Sequence, residues 1–204
     1  MFRLVVPVIA ASLVMAPSSA RAGDKFQLTP FLGFQFGGGV EDLSDGTDFD
    51  VDPSASYGLV FDKRLEKNKE ATLEFVWNRQ DTRIDVESQA GRFPLTIDYL
   101  HLGATYSPSG SDGFVVVTAG ATYFDPGGGY GSETKFSVAA GGGIRKMFND
   151  RLGLRVEGRA YLTFAGGSSS IFCSGGGGGG NCLFAFSGDV VVQTEIDVGM
   201  IVAF

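Results

Sequence analysis

The stretch RLGLRVEGRAYLTF, residues 151–164, alternates between apolar and polar side chains. One set of alternate positions is apolar or small, namely Leu152, Leu154, Val156, Gly158, Ala160, Leu162 and Phe164. The other set contains the charges, Arg151, Arg155, Glu157 and Arg159. A helix would spread these charges around its surface, whereas a strand sends successive side chains to opposite faces. The stretch therefore predicts a β-strand with one apolar and one charged face.

Seven further segments predict strands, which brings the total to eight. The C-terminal segment VVVQTEIDVGMIVAF, residues 190–204, alternates as clearly as the first and places Glu195 and Asp197 on its polar face. The other segments are 26–36, 54–64, 70–84, 95–107, 113–124 and 134–148. In segment 95–107 both faces contain apolar residues, so the pattern does not decide which face is which.

The connections between the predicted strands alternate in length. Long connections follow strands one, three, five and seven, and include DVESQAGRFP at residues 85–94. Short connections follow strands two, four and six, and include the Asn149-Asp150 turn. Long loops at one end and tight turns at the other are typical of an up-and-down barrel that crosses the outer membrane. A secreted, soluble β-barrel is the alternative, and it would bury the apolar face that a membrane barrel exposes to lipid.

The N-terminal sequence MFRLVVPVIAASLVMAPSSARAG predicts a cleaved signal peptide. Arg3 supplies the positive charge, an apolar run of twelve residues follows, and Ala20-Arg21-Ala22 fits the cleavage pattern. We therefore predict a signal peptide at 1–22 and one barrel domain at 23–204. Without Arg3 and Arg21 the mature chain has 14 basic and 23 acidic residues, a net charge of −9. Such an acidic chain disfavours a nucleic-acid partner.

Together these features resemble the OmpA-like and porin-like families of eight-stranded outer-membrane β-barrels in Gram-negative bacteria. The resemblance rests on the signal peptide, LTPFLGFQFGGG at 28–39, residues 151–164 and a last strand that ends on Phe204. It implies an all-β, antiparallel transmembrane barrel that is a monomer in the outer membrane, surrounded by lipid and lipopolysaccharide. It also implies that Phe204 is an assembly signal read by the barrel-assembly machinery. A surface ligand would bind the exposed loops, which contain no recognisable motif.

The polar faces of the strands predict a charged barrel interior. The inward charges are Glu74, Arg145, Arg155, Glu157, Arg159, Glu195 and Asp197, with Asp62 as a further member. An eight-stranded barrel has just enough interior for side chains, and buried charges must be paired. Because strands seven and eight are neighbours, we expect Arg155 and Arg159 to pair with Glu195, Asp197 and Glu157. The prediction is a salt-bridged plug, and a narrow, gated ion path is the alternative.

Cys173 and Cys182 flank a run of six glycines and are the only cysteines in the sequence. Two thiols without a neighbouring histidine do not complete a tetrahedral zinc site. Their spacing is also not the C-x-x-C of a redox motif. An exported protein favours a disulfide, so we predict a Cys173–Cys182 bond that closes the last loop.

Two other features have a functional and a plain interpretation. His101 is the only histidine, and the nearest serine in sequence is Ser107, so a lipid-modifying enzyme lacks a recognisable triad. The acidic loop from Glu41 to Asp52 lacks the EF-hand pattern; a solvated loop is expected, and cations bridging it to lipopolysaccharide are the alternative. We predict no catalytic residue, metal or cofactor. The predicted role is structural or in surface interaction, with a channel and an enzyme as the alternatives.

Overall fold

The computed structural model describes residues 26–38, 40–41, 48–65, 68–86, 91–126, 131–164, 169–174, 181–186 and 190–204. The predicted signal peptide, the cleavage point and most of the acidic loop lie outside these residues. No helix in the described part of the chain is long and apolar enough to cross a membrane.

Twelve strands form in the described residues, and eight of them are long. In chain order they are β1 (Phe26–Gly37), β2 (Val40–Glu41), β3 (Asp48–Val51), β4 (Ser54–Leu65), β5 (Asn68–Val86), β6 (Gly91–Tyr106), β7 (Gly113–Asp125), β8 (Glu133–Met147), β9 (Leu152–Phe164), β10 (Ser169–Ser174), β11 (Asn181–Phe186) and β12 (Val190–Ala203). The eight long strands correspond to the eight predicted ones. The short strands β2, β3, β10 and β11 lie within the predicted first and last loops.

The eight long strands close into an antiparallel barrel. Each strand pairs with its neighbours in chain order, and β1 pairs with β12 to complete the ring. Following the pairings from Gln27 once round the barrel leads back to β1 at Gly37, ten residues further along. This stagger requires the strands to tilt steeply against the barrel axis. The predicted eight-stranded, up-and-down barrel is confirmed.

Alternation places apolar side chains on the outside of the barrel and polar ones inside. Outward residues such as Leu32, Val117, Phe136 and Ile196 are between 57% and 73% exposed, so they face the surroundings of the barrel. The inward residues Glu74, Asn78, Gln80 and Thr122 are fully buried. A soluble protein buries its apolar residues, so this inverted arrangement is that of a barrel in lipid.

Strand β6 is the one whose faces the sequence did not distinguish. Its residues Leu95, Ile97 and Tyr99 point inward and are buried, while Leu100 and Leu102 are more than half exposed on the outside. The inward set joins an apolar cluster with Ile84, Phe124, Ala139 and Tyr161. Both faces of this strand are apolar because one faces the outer surroundings and the other faces this internal cluster.

The predicted loop at 85–94 is largely strand. β5 and β6 remain paired up to Val86 and Gly91, so their hairpin is much longer than predicted. The sequence prediction was wrong here because Pro94 and the charges around it are typical of a loop. β5 and β6 are long enough for their paired ends to lie beyond the apolar band, where a strand need not be apolar.

Phe204 closes the seam between the two ends of the barrel. The Phe204 N–H donates to the Phe26 carbonyl at 3.0 Å, and the Phe26 N–H donates back at 3.3 Å. The two rings stack with their centroids 6.3 Å apart, and Phe204 is 61% exposed on the outside. Phe204 thus lies on the outer surface, at the same end as the short turns.

Deletion of Phe204 is expected to reduce the amount of folded protein in the outer membrane more than it reduces the stability of barrels that form. The deletion removes two seam hydrogen bonds but no interior contact. The loss of these bonds should lower the free energy of unfolding by about 2 kcal/mol or less. Outer-membrane levels and urea unfolding measure the two effects separately. Phe148→Ala, an exposed aromatic in a turn at the same end, is the control. Unchanged levels after the deletion would contradict an assembly signal.

Candidate functional site in the barrel interior

All seven predicted interior charges lie on inward-facing strand positions. Glu74 is on β5, Arg145 on β8, Glu195 and Asp197 on β12, and the other three on β9. Six of them are at most 5% exposed, and Arg145 is partly exposed. Asp62 on β4 joins them, 2% exposed. Inward charges on five strands of a narrow barrel must lie within side-chain reach of each other.

Two arginines and three carboxylates form an ion-pair cluster in the centre. Arg155 contacts Glu157 at 2.5 Å, Glu74 at 2.7 Å and Asp62 at 3.3 Å. Arg159 contacts Glu74 at 2.6 Å and Glu157 at 2.7 Å. Glu74 and Glu157 therefore each bind both arginines. Such shared pairing offsets the cost of holding charges away from water.

The sequence predicted that Glu195 and Asp197 pair with these arginines, and this prediction was wrong. Glu195 lies opposite Arg159 in the strand pairing, yet its carboxylate accepts hydrogen bonds from Ser56, from Asn78 at 2.8 Å and from Tyr161 at 3.1 Å. Asp197 lies opposite Glu157 and belongs to none of the ion pairs among the described residues. The arginines instead extend across the lumen to Glu74 on β5, because closure of the barrel brings the far wall within their reach.

Arg145 lies opposite Arg155 in the β8–β9 pairing but belongs to none of the ion pairs among the described residues. Its guanidinium carbon is 4.9 Å from the centre of the Phe114 ring, and that of Arg155 is 4.6 Å from the same ring. Both distances are typical of cation–π contacts. The Nε and Nη2 atoms of Arg145 have no hydrogen-bond partner among the described residues.

A second polar group, which the sequence did not indicate, lies nearer the loop end of the lumen. Tyr99 donates its hydroxyl to Gln193, Gln193 donates to Gln80 at 3.1 Å, and Gln80 donates to Ser54 at 2.9 Å. Tyr99 also stacks on Tyr161, with ring centroids 4.1 Å apart. The alternation of each strand shows that these residues face inward, but their pairing depends on the three-dimensional register.

His101 has a serine neighbour that the linear sequence did not reveal. Its Nε2 atom lies 2.7 Å from the Ser137 hydroxyl, and its Nδ1 atom lies 3.1 Å from the Thr118 hydroxyl. His101 pairs with Gly120 on β7, which in turn pairs with Ser137 on β8, so only the sheet brings the two together. His101 and Ser137 are at most 1% exposed, and the ring contacts a threonine where a triad has a carboxylate.

The two cysteines lie directly opposite each other in the β10–β11 pairing. Opposed Cα atoms in antiparallel strands are about 4.5–5.5 Å apart, which is within the range of disulfide-bonded cysteines. The backbone register therefore supports the predicted disulfide.

The Cys173–Cys182 disulfide is expected to order the last loop without being needed for the barrel. A bond that closes so short a loop stabilises the protein by about 3 kcal/mol or less. Mass spectrometry of non-reduced peptides detects the bond, with Cys182→Ser as the control. Without heating, the reduced protein should still run at the gel mobility of the folded form, which differs from that of the heated protein. Loss of that mobility on reduction would contradict the second expectation.

A closed barrel of eight strands, with an apolar outer surface and a filled, charged interior, defines an eight-stranded transmembrane β-barrel. No protein-family model and no curated protein matches the chain. Several solved structures share its fold, among them the following three. Neisserial surface protein A (NspA) has 12% identity and a TM-score of 0.55, over 88% of this chain and 97% of NspA.

The outer membrane protein OprG from Pseudomonas aeruginosa has 16% identity and a TM-score of 0.56, over 88% of this chain and 95% of OprG. The outer membrane protein AlkL, solved in lipid bilayers, has 12% identity and a TM-score of 0.50, over 93% of this chain and 95% of AlkL. All three are similar to this chain in fold.

Proposed function

We propose that the protein is an outer-membrane barrel with a role at the cell surface, in adhesion or in membrane integrity, and that its interior is closed. The fold shared with outer membrane proteins and the apolar outer surface support this location. Outer-membrane lipid, lipopolysaccharide and the barrel-assembly machinery are its proposed partners, and the barrel acts as a monomer.

The long β5–β6 hairpin is the observation that carries the surface role. A strand needs about 9–11 residues to cross a membrane. β5 has 19 residues and β6 has 16, so their paired ends extend well beyond the lipid. We therefore infer a strand surface outside the membrane, on the side of the long loops, where β3 also pairs with the end of β5.

The outward face of this hairpin becomes polar where it leaves the apolar band. The indole of Trp77 donates to Asp98 at 3.1 Å, and Arg79 binds the same carboxylate through two hydrogen bonds of 2.9 and 2.6 Å. One step further out, Thr96 donates to Asp81 at 2.9 Å. Tryptophan is enriched at the membrane–water interface. Trp77 thus marks the level of that interface, and the charged pairs above it are available for contact with other molecules.

Shortening the hairpin tests the surface role. Replacing residues 83–94 with an Asn-Gly turn joins Thr82 to Leu95, which already lie opposite each other. A strain that lacks the protein is complemented with the full chain, the shortened chain, or an Asp150→Gly control at the opposite end. Loss of cell adhesion with the shortened chain alone supports a surface contact. If the strain that lacks the protein loses detergent resistance, and the full and the shortened chain each restore it, the result supports a role in membrane integrity.

The channel is the second candidate, because the charged interior would attract ions if it opened. Steady conductance of the wild-type protein in a planar bilayer, with neither cell phenotype, would favour it. A lipid-modifying enzyme has less support, since the His101–Ser137 pair is buried inside the lumen. Ser137→Ala with unchanged lipid composition of the membrane would count against the enzyme.

A further inference from the structure

Nine buried polar atoms have no hydrogen-bond partner among the described residues; three belong to Arg145 and Arg159, and the other six lie on one wall of the lumen. They lie on the adjacent strands β1, β4 and β5 and form two groups: Gln27 Oε1, Thr29 Oγ1 and Asp62 Oδ1 in one, and both amide atoms of Gln35 with Asn78 Oδ1 in the other. Buried polar atoms are nearly always hydrogen-bonded to protein or to ordered water. Ordered water is the usual partner of such atoms where the protein supplies none.

The two groups are separated by an apolar cluster on the same three strands. Phe31, Val60 and Val76 contact each other and are at most 5% exposed. Along β1, the inward position Phe31 comes after Thr29 and before Gln35. On β4, Val60 lies nearer the loop end of the barrel than Asp62. On β5, Asn78 lies nearer the loop end than Val76. The order of these residues places the cluster between the two groups.

Phe31 fills the space left by an inward-facing glycine. A Cβ atom on Gly58 would lie 2.5 Å from the Phe31 ring and 2.2 Å from the Trp77 carbonyl. The ring thus occupies the space that a side chain on Gly58 would need. The remaining side of the lumen at this depth is occupied by Arg159 with Glu74 and Glu157. An aromatic ring and an ion-pair cluster together close the lumen.

We propose that Phe31 is the barrier that separates two pockets of ordered water, and that its removal would join them into a path for cations. An apolar constriction blocks ions because water leaves it and an ion cannot shed its hydration shell there. Phe31 belongs to no ion pair or hydrogen bond of the charged cluster. It can therefore be altered without removing a charge from the interior.

The composition of the interior sets the preference for cations. Five carboxylates face the lumen, from Asp62, Glu74, Glu157, Glu195 and Asp197, against three guanidinium groups, from Arg145, Arg155 and Arg159. By formal charge, this ratio favours cations over anions. The path that opens beside Phe31 passes these same side chains.

The test compares Phe31→Ala with Phe34→Ala in planar bilayers. Phe34 is on the same strand but 50% exposed on the outside, so it controls for the loss of an aromatic ring. Phe31→Ala should raise conductance at least about tenfold. In a salt gradient, its reversal potential should shift toward the equilibrium potential of the cation. Phe31→Leu should give a smaller increase, and Phe34→Ala should match the wild type. Heat-modifiable gel mobility shows which variants fold.

A second measurement uses the wild-type protein and does not depend on any variant folding. In lipid nanodiscs, the Gln35 side-chain amide should show magnetisation transfer from water by NMR. The Gln193 amide, which donates to Gln80, is the internal control and should show less. Absence of water at Gln35 would overturn the pockets. If Phe31→Ala and Phe31→Leu fold but conduct no more than the wild-type protein, Phe31 is not the barrier. Neither result would bear on the proposed role of the hairpin at the surface.

Discussion

Replacing Arg155 with alanine is expected to lower the free energy of unfolding by about 3–5 kcal/mol, the usual cost of breaking a buried ion pair. Arg155 is 1% exposed and contacts Asp62, Glu74 and Glu157. Its removal leaves three buried carboxylates with one fewer cation. Arg159 still binds Glu74 and Glu157, but Asp62 loses its only ion pair among the described residues. Water that enters the vacated space would bring the loss toward the lower end of this range.

Urea unfolding in lipid vesicles measures the effect of Arg155→Ala, and Trp77, the only tryptophan, reports it by fluorescence. Arg151→Ala is the matched control, because Arg151 is exposed in the turn that precedes the same strand. The control should change stability by less than about 0.5 kcal/mol. Equal stability of the two variants would contradict a buried cluster whose carboxylates depend on Arg155.

Conductance gives an independent measure of the same cluster. Wild-type protein should conduct far less than a sixteen-stranded porin, because the interior of an eight-stranded barrel is filled by side chains. Arg155→Ala and Arg159→Ala should each raise conductance, since each vacates space at the centre of the lumen. Large, steady wild-type conductance that neither substitution changes would show that the cluster does not close the lumen.

Gly143→Ala is expected to destabilise the barrel by about 3 kcal/mol, the upper end of the cost of overpacking. A Cβ atom at this position would lie 2.0 Å from the Val156 carbonyl oxygen and 2.9 Å from the Glu157 Cα. Both are backbone atoms of the paired strand β9. They can move only if the β8–β9 pairing itself opens, so the clash cannot be relieved by a change of side-chain rotamer.

Gly158→Ala provides the matched control on the same pair of strands. There, the nearest heavy atom to an added Cβ is the Glu195 carbonyl oxygen at 3.9 Å, an ordinary contact. Gly158→Ala should therefore change stability by about 0.5 kcal/mol or less. The yield of heat-modifiable protein and urea unfolding should separate the two variants. A Gly143→Ala barrel as stable as Gly158→Ala would show that β8 and β9 are further apart at this point.

The sequence by itself determined the number of strands in the barrel and, for all of them but β6, which side chains face the interior. Side chains alternate between the two faces of any strand, so the position of Glu157 between Val156 and Gly158 is enough to orient it. The same alternation oriented Glu74, Arg145 and Glu195 correctly. It failed only for β6, where an apolar side chain is favourable on both faces.

The tertiary structure alone decided which interior residues meet. Glu74 lies 81 positions from Arg155 in the chain, and Ser137 lies 36 positions from His101. These contacts depend on the stagger of ten residues around the ring and on the narrow lumen, and neither is encoded in any single strand. The sequence therefore predicts the inventory of the lumen, because alternation is a local property of the backbone. The contacts between interior side chains, and with them the proposed water pockets and Phe31 barrier, follow only from closure of the barrel, because closure brings opposite walls together.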